Sequence, residues 1–204
     1  MGLYKRAVQA EAGSLKVDFT EAWAQDPLLA DAFAERLRDA QARLTTETGS
    51  AVPVLFTAHS VPCRTVQTQA ASEGQPRLWP GEGADPYAQE AKRTAELVAE
   101  RVPEIPKWWF AFQSQGASGG PWIGPTVEET LTAIAGEGHK TLLLQPIGFL
   151  CDHVEILYDV DIAFKGFAQN LGIRLERPES LNESPTLARA IAGLAKRGLI
   201  RLEE

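Results

Sequence analysis

Cysteine is scarce in this chain, and so are long apolar runs and positive charge. Two cysteines, Cys63 and Cys151, stand 88 positions apart and form neither a CxxC pair nor a disulfide framework. An iron–sulfur cluster takes about four cysteine ligands, so none is expected. A reducing, cytosolic compartment is the expected location. No apolar run reaches the ~18 residues of a membrane span. The opening Met-Gly-Leu-Tyr-Lys-Arg leads into a polar segment without the apolar core of a signal peptide. Lys and Arg number 20 against 27 Asp and Glu, a net charge of −7. That balance disfavours nucleic acid, which needs a basic face. It also limits any membrane contact to a peripheral one.

What remains is ordinary globular composition: 204 residues, 44% hydrophobic and 23% charged. That length suits one buried domain, or one domain and part of another. Asp26-Pro27 opens a helix to about Thr46, with Leu28, Leu29, Phe33, Leu37 and Leu44 on one stripe. Four short apolar runs read as strands: Val52–Thr57, Lys107–Phe112, Lys140–Ile147 and Gly172–Glu176. Helices are expected between them, from Asp85-Pro86, from Thr126 with Glu129 in a capping box, and from Cys151 or Asp152 to about Gln169. A closing helix is expected over Pro185–Arg197. The alternation predicts an α/β fold: a four-stranded parallel sheet with helices on both faces. Leu15–Thr20 reads as a strand or an extended lead-in.

Two stretches hold the chemistry. Phe56-Thr-Ala-His-Ser-Val-Pro62 places His59 at a strand end, and Pro146-Ile-Gly-Phe-Leu-Cys-Asp-His-Val-Glu-Ile-Leu-Tyr-Asp159 follows another. Open α/β sheets bind ligands at the carboxyl ends of their strands. An imidazole there accepts a proton or ligates a borderline metal; the alternative is a capping or packing histidine. Glu155 and Asp159, four apart, share a helix face, whereas His153 lies about 200° around the helix from Glu155. An acid near a helix start also serves the helix dipole, which accounts for Asp152 but not for Asp159 and Asp161. Cys151 reads as a small buried residue, and His139, on a turn, as exposed. The loop Gln113–Pro125 lacks the Lys-Ser/Thr ending of a P-loop. Its glycines, with Trp122 and with Trp79 of the Cys63–Ala84 loop, suit a large flat apolar ligand.

These stretches, in order, resemble the ferrochelatases. The matching segments are Phe56–Pro62, Asp85-Pro-Tyr87, Phe112–Gln115 with Gly120–Pro125, Pro146–Phe149 with Asp152–Asp159, and Glu179–Asn182. The resemblance implies two similar α/β halves with a porphyrin between them. The chain then reads as residues 1–50, a remnant of the first half, and residues 51–204, a chelatase-like second half-domain. It implies insertion of Fe²⁺, as substrate, into protoporphyrin IX or coproporphyrin III, with no tightly bound cofactor. It implies His59 and Glu155 as catalytic residues facing each other across the porphyrin, and His59, Glu155 and Asp159 as metal ligands. Ser60, Gln113, Ser114, Trp122, Phe149, His153 and Tyr158 are the implied substrate contacts. Ala163 stands one turn beyond Asp159, where some relatives carry a further acid, and Asp161 is the candidate substitute. Association with an N-terminal half or with another copy is expected. Two alternatives remain open: a related cobalt, nickel or iron chelatase, and a truncated porphyrin-binding fragment without turnover.

Overall fold

The computed structural model describes residues 2–20, 22–63, 86–116 and 121–203. Its elements are α1 (Gly2–Glu11), α2 (Pro27–Thr48), β1 (Val54–His59), α3 (Pro86–Glu100), β2 (Trp108–Gln113), α4 (Val127–Gly136) and β3 (Thr141–Pro146). A π-helix (Glu155–Phe164), α5 (Lys165–Asn170), β4 (Arg174–Glu176) and α6 (Pro185–Glu203) complete it. The four strands form one parallel sheet in the order β2-β1-β3-β4.

Local chemistry explains the element ends. Asp26 caps α2 by accepting the Leu28 N–H at 3.0 Å, and Pro27 takes the first turn, where its missing N–H costs nothing. Gly49 ends α2 with φ +80°, a left-handed position that favours glycine. Thr126 and Glu129 form the expected capping box of α4.

Alternation along the strands sends side chains to two cores. Val54, Phe56 and Leu143 face Phe33, Leu37 and Leu44 of α2 and Ala95 and Val98 of α3. Leu55, Leu142 and Leu144 face Leu131 and Ile134 of α4 and Ile156, Val160 and Phe164 of the π-helix. Helices therefore cover both faces, as the periodicity predicts. The helix placed before the expected division at residue 50 shares its core with β1 and β3.

Of the two readings of Leu15–Thr20, the lead-in rather than the strand holds. Two expectations change. The helix expected from Cys151 or Asp152 begins only at Glu155 and is a π-helix to Phe164. Asp152 is drawn instead to Asn182, whose side-chain oxygen accepts the Asp152 N–H at 2.9 Å. Cys151 is exposed and Cys63 is the buried thiol. Among the described residues, no helix is long and apolar enough to cross a membrane.

The chain runs from β1 to β2 on one side, then crosses to β3 on the other. The carboxyl ends of β1 and β3 therefore form a topological switch point, where such sheets open a crevice for ligands.

Candidate active site

His59 is the last residue of β1 and projects from the half-exposed rim of that crevice. Its backbone is pinned: the Tyr87 hydroxyl donates to the His59 carbonyl at 2.8 Å. Its ring is oriented by a short contact between Nδ1 and the Ser60 carbonyl. A carbonyl only accepts, so Nδ1 carries a proton and Nε2 is the nitrogen left free in the neutral ring. Nε2 lies 3.5 Å from Glu155 Oε1.

Glu155 opens the π-helix. Its N–H points at His153 Nδ1, 3.3 Å away, so His153 sits just outside the helix rather than in its first turn. The His153 Nε2 is buried and meets no hydrogen-bond partner among the described residues. The Phe149 ring lies between the two histidines, with centroids 6.1 Å from His59 and 4.5 Å from His153. Gly148 makes this packing possible: a Cβ there would come within 3.2 Å of Ala58.

Four residues on from Glu155, about one helical turn, Asp159 is held by a directed chain of hydrogen bonds. Thr57 Oγ1 donates to Gln113 Oε1 at 2.6 Å, Gln113 Nε2 to Ser114 Oγ at 3.4 Å, and Ser114 Oγ to Asp159 Oδ2 at 2.5 Å. Ser114 adopts φ +61°, uncommon for a residue with a side chain. Such strain persists where the surroundings over-determine it.

The Ser60 hydroxyl is buried and donates to the Ile123 carbonyl at 2.7 Å. With the Ile123 N–H to Val61 carbonyl bond at 3.0 Å, it straps the 121–125 loop to the end of β1. The Ser60 and Gln113 side chains are both buried and bonded within the protein. Trp122 is half-buried, its ring filling the space beside Gly116. Tyr158 is exposed. Trp79 lies outside the described residues.

Two implied arrangements need correction. His59 and Glu155 do not face each other across a ring-sized gap. A flat macrocycle between them needs about 7 Å, two van der Waals separations of about 3.5 Å. Both rise from the same end of neighbouring strands, so they share one wall. Asp161 does not extend the acidic ladder, because Arg177 takes both its oxygens, Nε at 3.0 Å and Nη2 at 2.8 Å. His139, expected exposed, is half-buried against Trp109 and lies 3.4 Å from Glu137.

The pair can chelate. Borderline divalent ions bind imidazole nitrogen and carboxylate oxygen at about 2.0–2.2 Å, so donors 3.5 Å apart can reach one ion. Among the described residues no three His, Cys, Asp or Glu side chains converge on such a point, and Asp159 is turned to Ser114. Two donors on an open rim suit an ion that passes through better than one retained.

A sequence model of the family described as Ferrochelatase matches residues 2–199. The chain belongs to the ferrochelatase family. It is 60% identical to a ferrochelatase of Acidobacterium capsulatum, over all of this chain and 62% of that protein. A ferrochelatase of Herpetosiphon aurantiacus is 39% identical over 84% of this chain and 51% of the relative. A coproporphyrin III ferrochelatase of Bacillus pumilus is 28% identical over 93% of this chain and 57% of the relative. The chain thus spans between about half and three-fifths of the length of these curated relatives.

Several contributing residues are not singled out by sequence reasoning: Thr57, Asp152 as a tether, Gly148 and Arg177. Arg177 carried a usable signal, an arginine directly after a strand and just before the Glu179–Asn182 segment.

Proposed function

We propose that this chain handles Fe²⁺ and pyrrole protons in the insertion of iron into a porphyrin, on the haem-forming route, with His59 and Glu155 as the reacting pair. The observation that carries this reading is the free His59 Nε2 3.5 Å from Glu155 Oε1 on an open strand-end rim of a ferrochelatase-family chain.

Metalation removes two protons from the pyrrole nitrogens and exchanges the solvation of Fe²⁺ for four ring nitrogens. A neutral imidazole and a carboxylate serve both needs, since each ligates iron or takes a proton. The pair sits on one wall, so both groups approach the macrocycle from the same side. Iron bridging Nε2 and Oε1 leaves by exchanging two protein donors for ring nitrogens. The vacated imidazole and carboxylate then accept the displaced protons. Asp159, the next acid along the π-helix, passes protons or iron to solvent. Phe149, Trp122 and Tyr158 supply flat apolar contacts that help bend the ring, a distortion typically worth ~1–5 kcal/mol drawn from remote contacts. The opposite wall comes from the portion of the relatives' length beyond this chain, or from a second copy. A cytosolic setting fits the acidic balance and the two cysteines, neither of which is in a disulfide.

Anaerobic Fe²⁺ titration in the presence of coproporphyrin III or protoporphyrin IX, read by the porphyrin absorption bands, tests the reading. Metalation of one of them assigns the substrate branch. Folded protein that binds neither porphyrin sinks the proposal.

A further inference from the structure

Arg177 follows β4 directly and holds both ends of the segment that carries the site acids. Its Nε and Nη2 donate to the two oxygens of Asp161 at 3.0 and 2.8 Å, a two-point fork. Its Nη1 donates to the Pro178 carbonyl at 3.2 Å and to Ser180 Oγ at 3.0 Å, and lies 3.2 Å from Asp152 Oδ1. Asp152 also accepts from Ser180 Oγ at 2.6 Å and Asn182 Nδ2 at 3.0 Å. His153, Glu155 and Asp159 all lie between Asp152 and Asp161 in the chain.

The start of the π-helix depends on what precedes it. Val154 makes no side-chain cap bond. The first N–H groups go to His153 instead, Glu155 to its Nδ1 at 3.3 Å and Ile156 and Leu157 to its carbonyl at 3.0 and 2.9 Å, so the turn is anchored on the residue directly after Asp152. Among the described residues no second cation duplicates the fork at Asp161: Lys165 Nζ approaches it only to 3.8 Å, as a point charge. The Arg177 side chain is 12% exposed, so solvent screens this grip less than a surface pair.

We propose that Arg177 is the positioning residue of the metal-handling pair: by fixing Asp152 and Asp161 it sets where Glu155 stands relative to His59. The inference rests on the function proposed above. Arg177 touches neither His59 nor Glu155 and acts through the helix. A lysine in its place keeps the charge but cannot fork to Asp161 while reaching Asp152.

The test uses Co²⁺ as a visible probe of the His59–Glu155 site, with amide hydrogen exchange as a second readout. Arg177→Lys should weaken Co²⁺ binding about tenfold or more, the usual effect of losing a residue that orients a metal ligand. Amides of residues 155–161 should exchange about tenfold faster, while those of β1 and α4 keep their rates. Asp161→Asn should reproduce both effects. The double variant Arg177→Met/Asp161→Asn removes the unpaired charge and recovers folding stability, yet should remain weak in Co²⁺. If Glu155→Gln loses Co²⁺ while Arg177→Lys and the double variant bind it like the parent, this inference falls and the function stands. If Glu155→Gln binds Co²⁺ as well as the parent, the proposed function falls, and this inference with it.

Discussion

Ser114 Oγ donates to Asp159 Oδ2 at 2.5 Å from a backbone position with φ +61°. One residue thus combines a strained backbone with the bond that holds Asp159. Ser114→Ala keeps the strain and loses the bond, and should cost about 1–2 kcal/mol in urea unfolding. Ser114→Gly loses the same bond but relieves the backbone, so it should be less destabilised than alanine by about 0.4–1 kcal/mol. Equal stability of the two variants would remove the strain argument.

Gly148 lets the chain after β3 pass closely over the end of β1. A Cβ there meets Ala58 Cα and Cβ at 3.2 Å and the His59 N at 3.4 Å, and backbone cannot yield as a side-chain tip can. Gly148→Ala should destabilise by about 1–3 kcal/mol, the range for overpacking, and shift His59 away from Phe149. A crystal structure of the variant with both rings in place would contradict this.

Acid should loosen the tether that precedes the π-helix. The Asp152 carboxyl is held below its usual 3.8, first by the Ser180 hydroxyl, then by the Asn182 amide, and also by the Arg177 charge. Because its folded value is depressed, its stabilising contribution is fully present above 3.8 and fades as pH falls through the lower folded value. Asp152→Asn should therefore be less stable than the parent at neutral pH, and the two should converge in acid. Urea midpoints at pH 6 and stepwise below pH 4 measure this, and a constant difference would contradict it.

The fold was legible because its signals were local and agreed with one another. Alternating strands and helices, Pro27 after the Asp26 cap and the Thr126–Glu129 capping box each fix a boundary by near-neighbour chemistry. His59 and Glu155 were legible too, as polar groups following buried strands. Their mutual placement was not. Whether two groups share a wall depends on strand order, and β3 lies beside β1 only after the chain crosses over β2's neighbour. The π-helix was equally hidden. Ile156, Val160 and Phe164, its buried residues, recur every fourth position, a spacing that an α-helix also accommodates. The start at Glu155 rather than Asp152 is set by Asn182, 30 residues downstream. Asp161 looked like a free acid because its partner Arg177 is 16 positions away.

The most direct measurement is the anaerobic rate of Fe²⁺ insertion for the parent chain, His59→Ala, Glu155→Gln and the double variant, at saturating iron. The account predicts that the parent metalates a porphyrin and that each single variant falls by about 10²–10⁴, the usual share of a proton-transfer group. It also predicts that the double variant falls little further, because the two act as one unit. A His59→Ala rate equal to the parent's, or a folded parent chain that metalates no porphyrin, would contradict it.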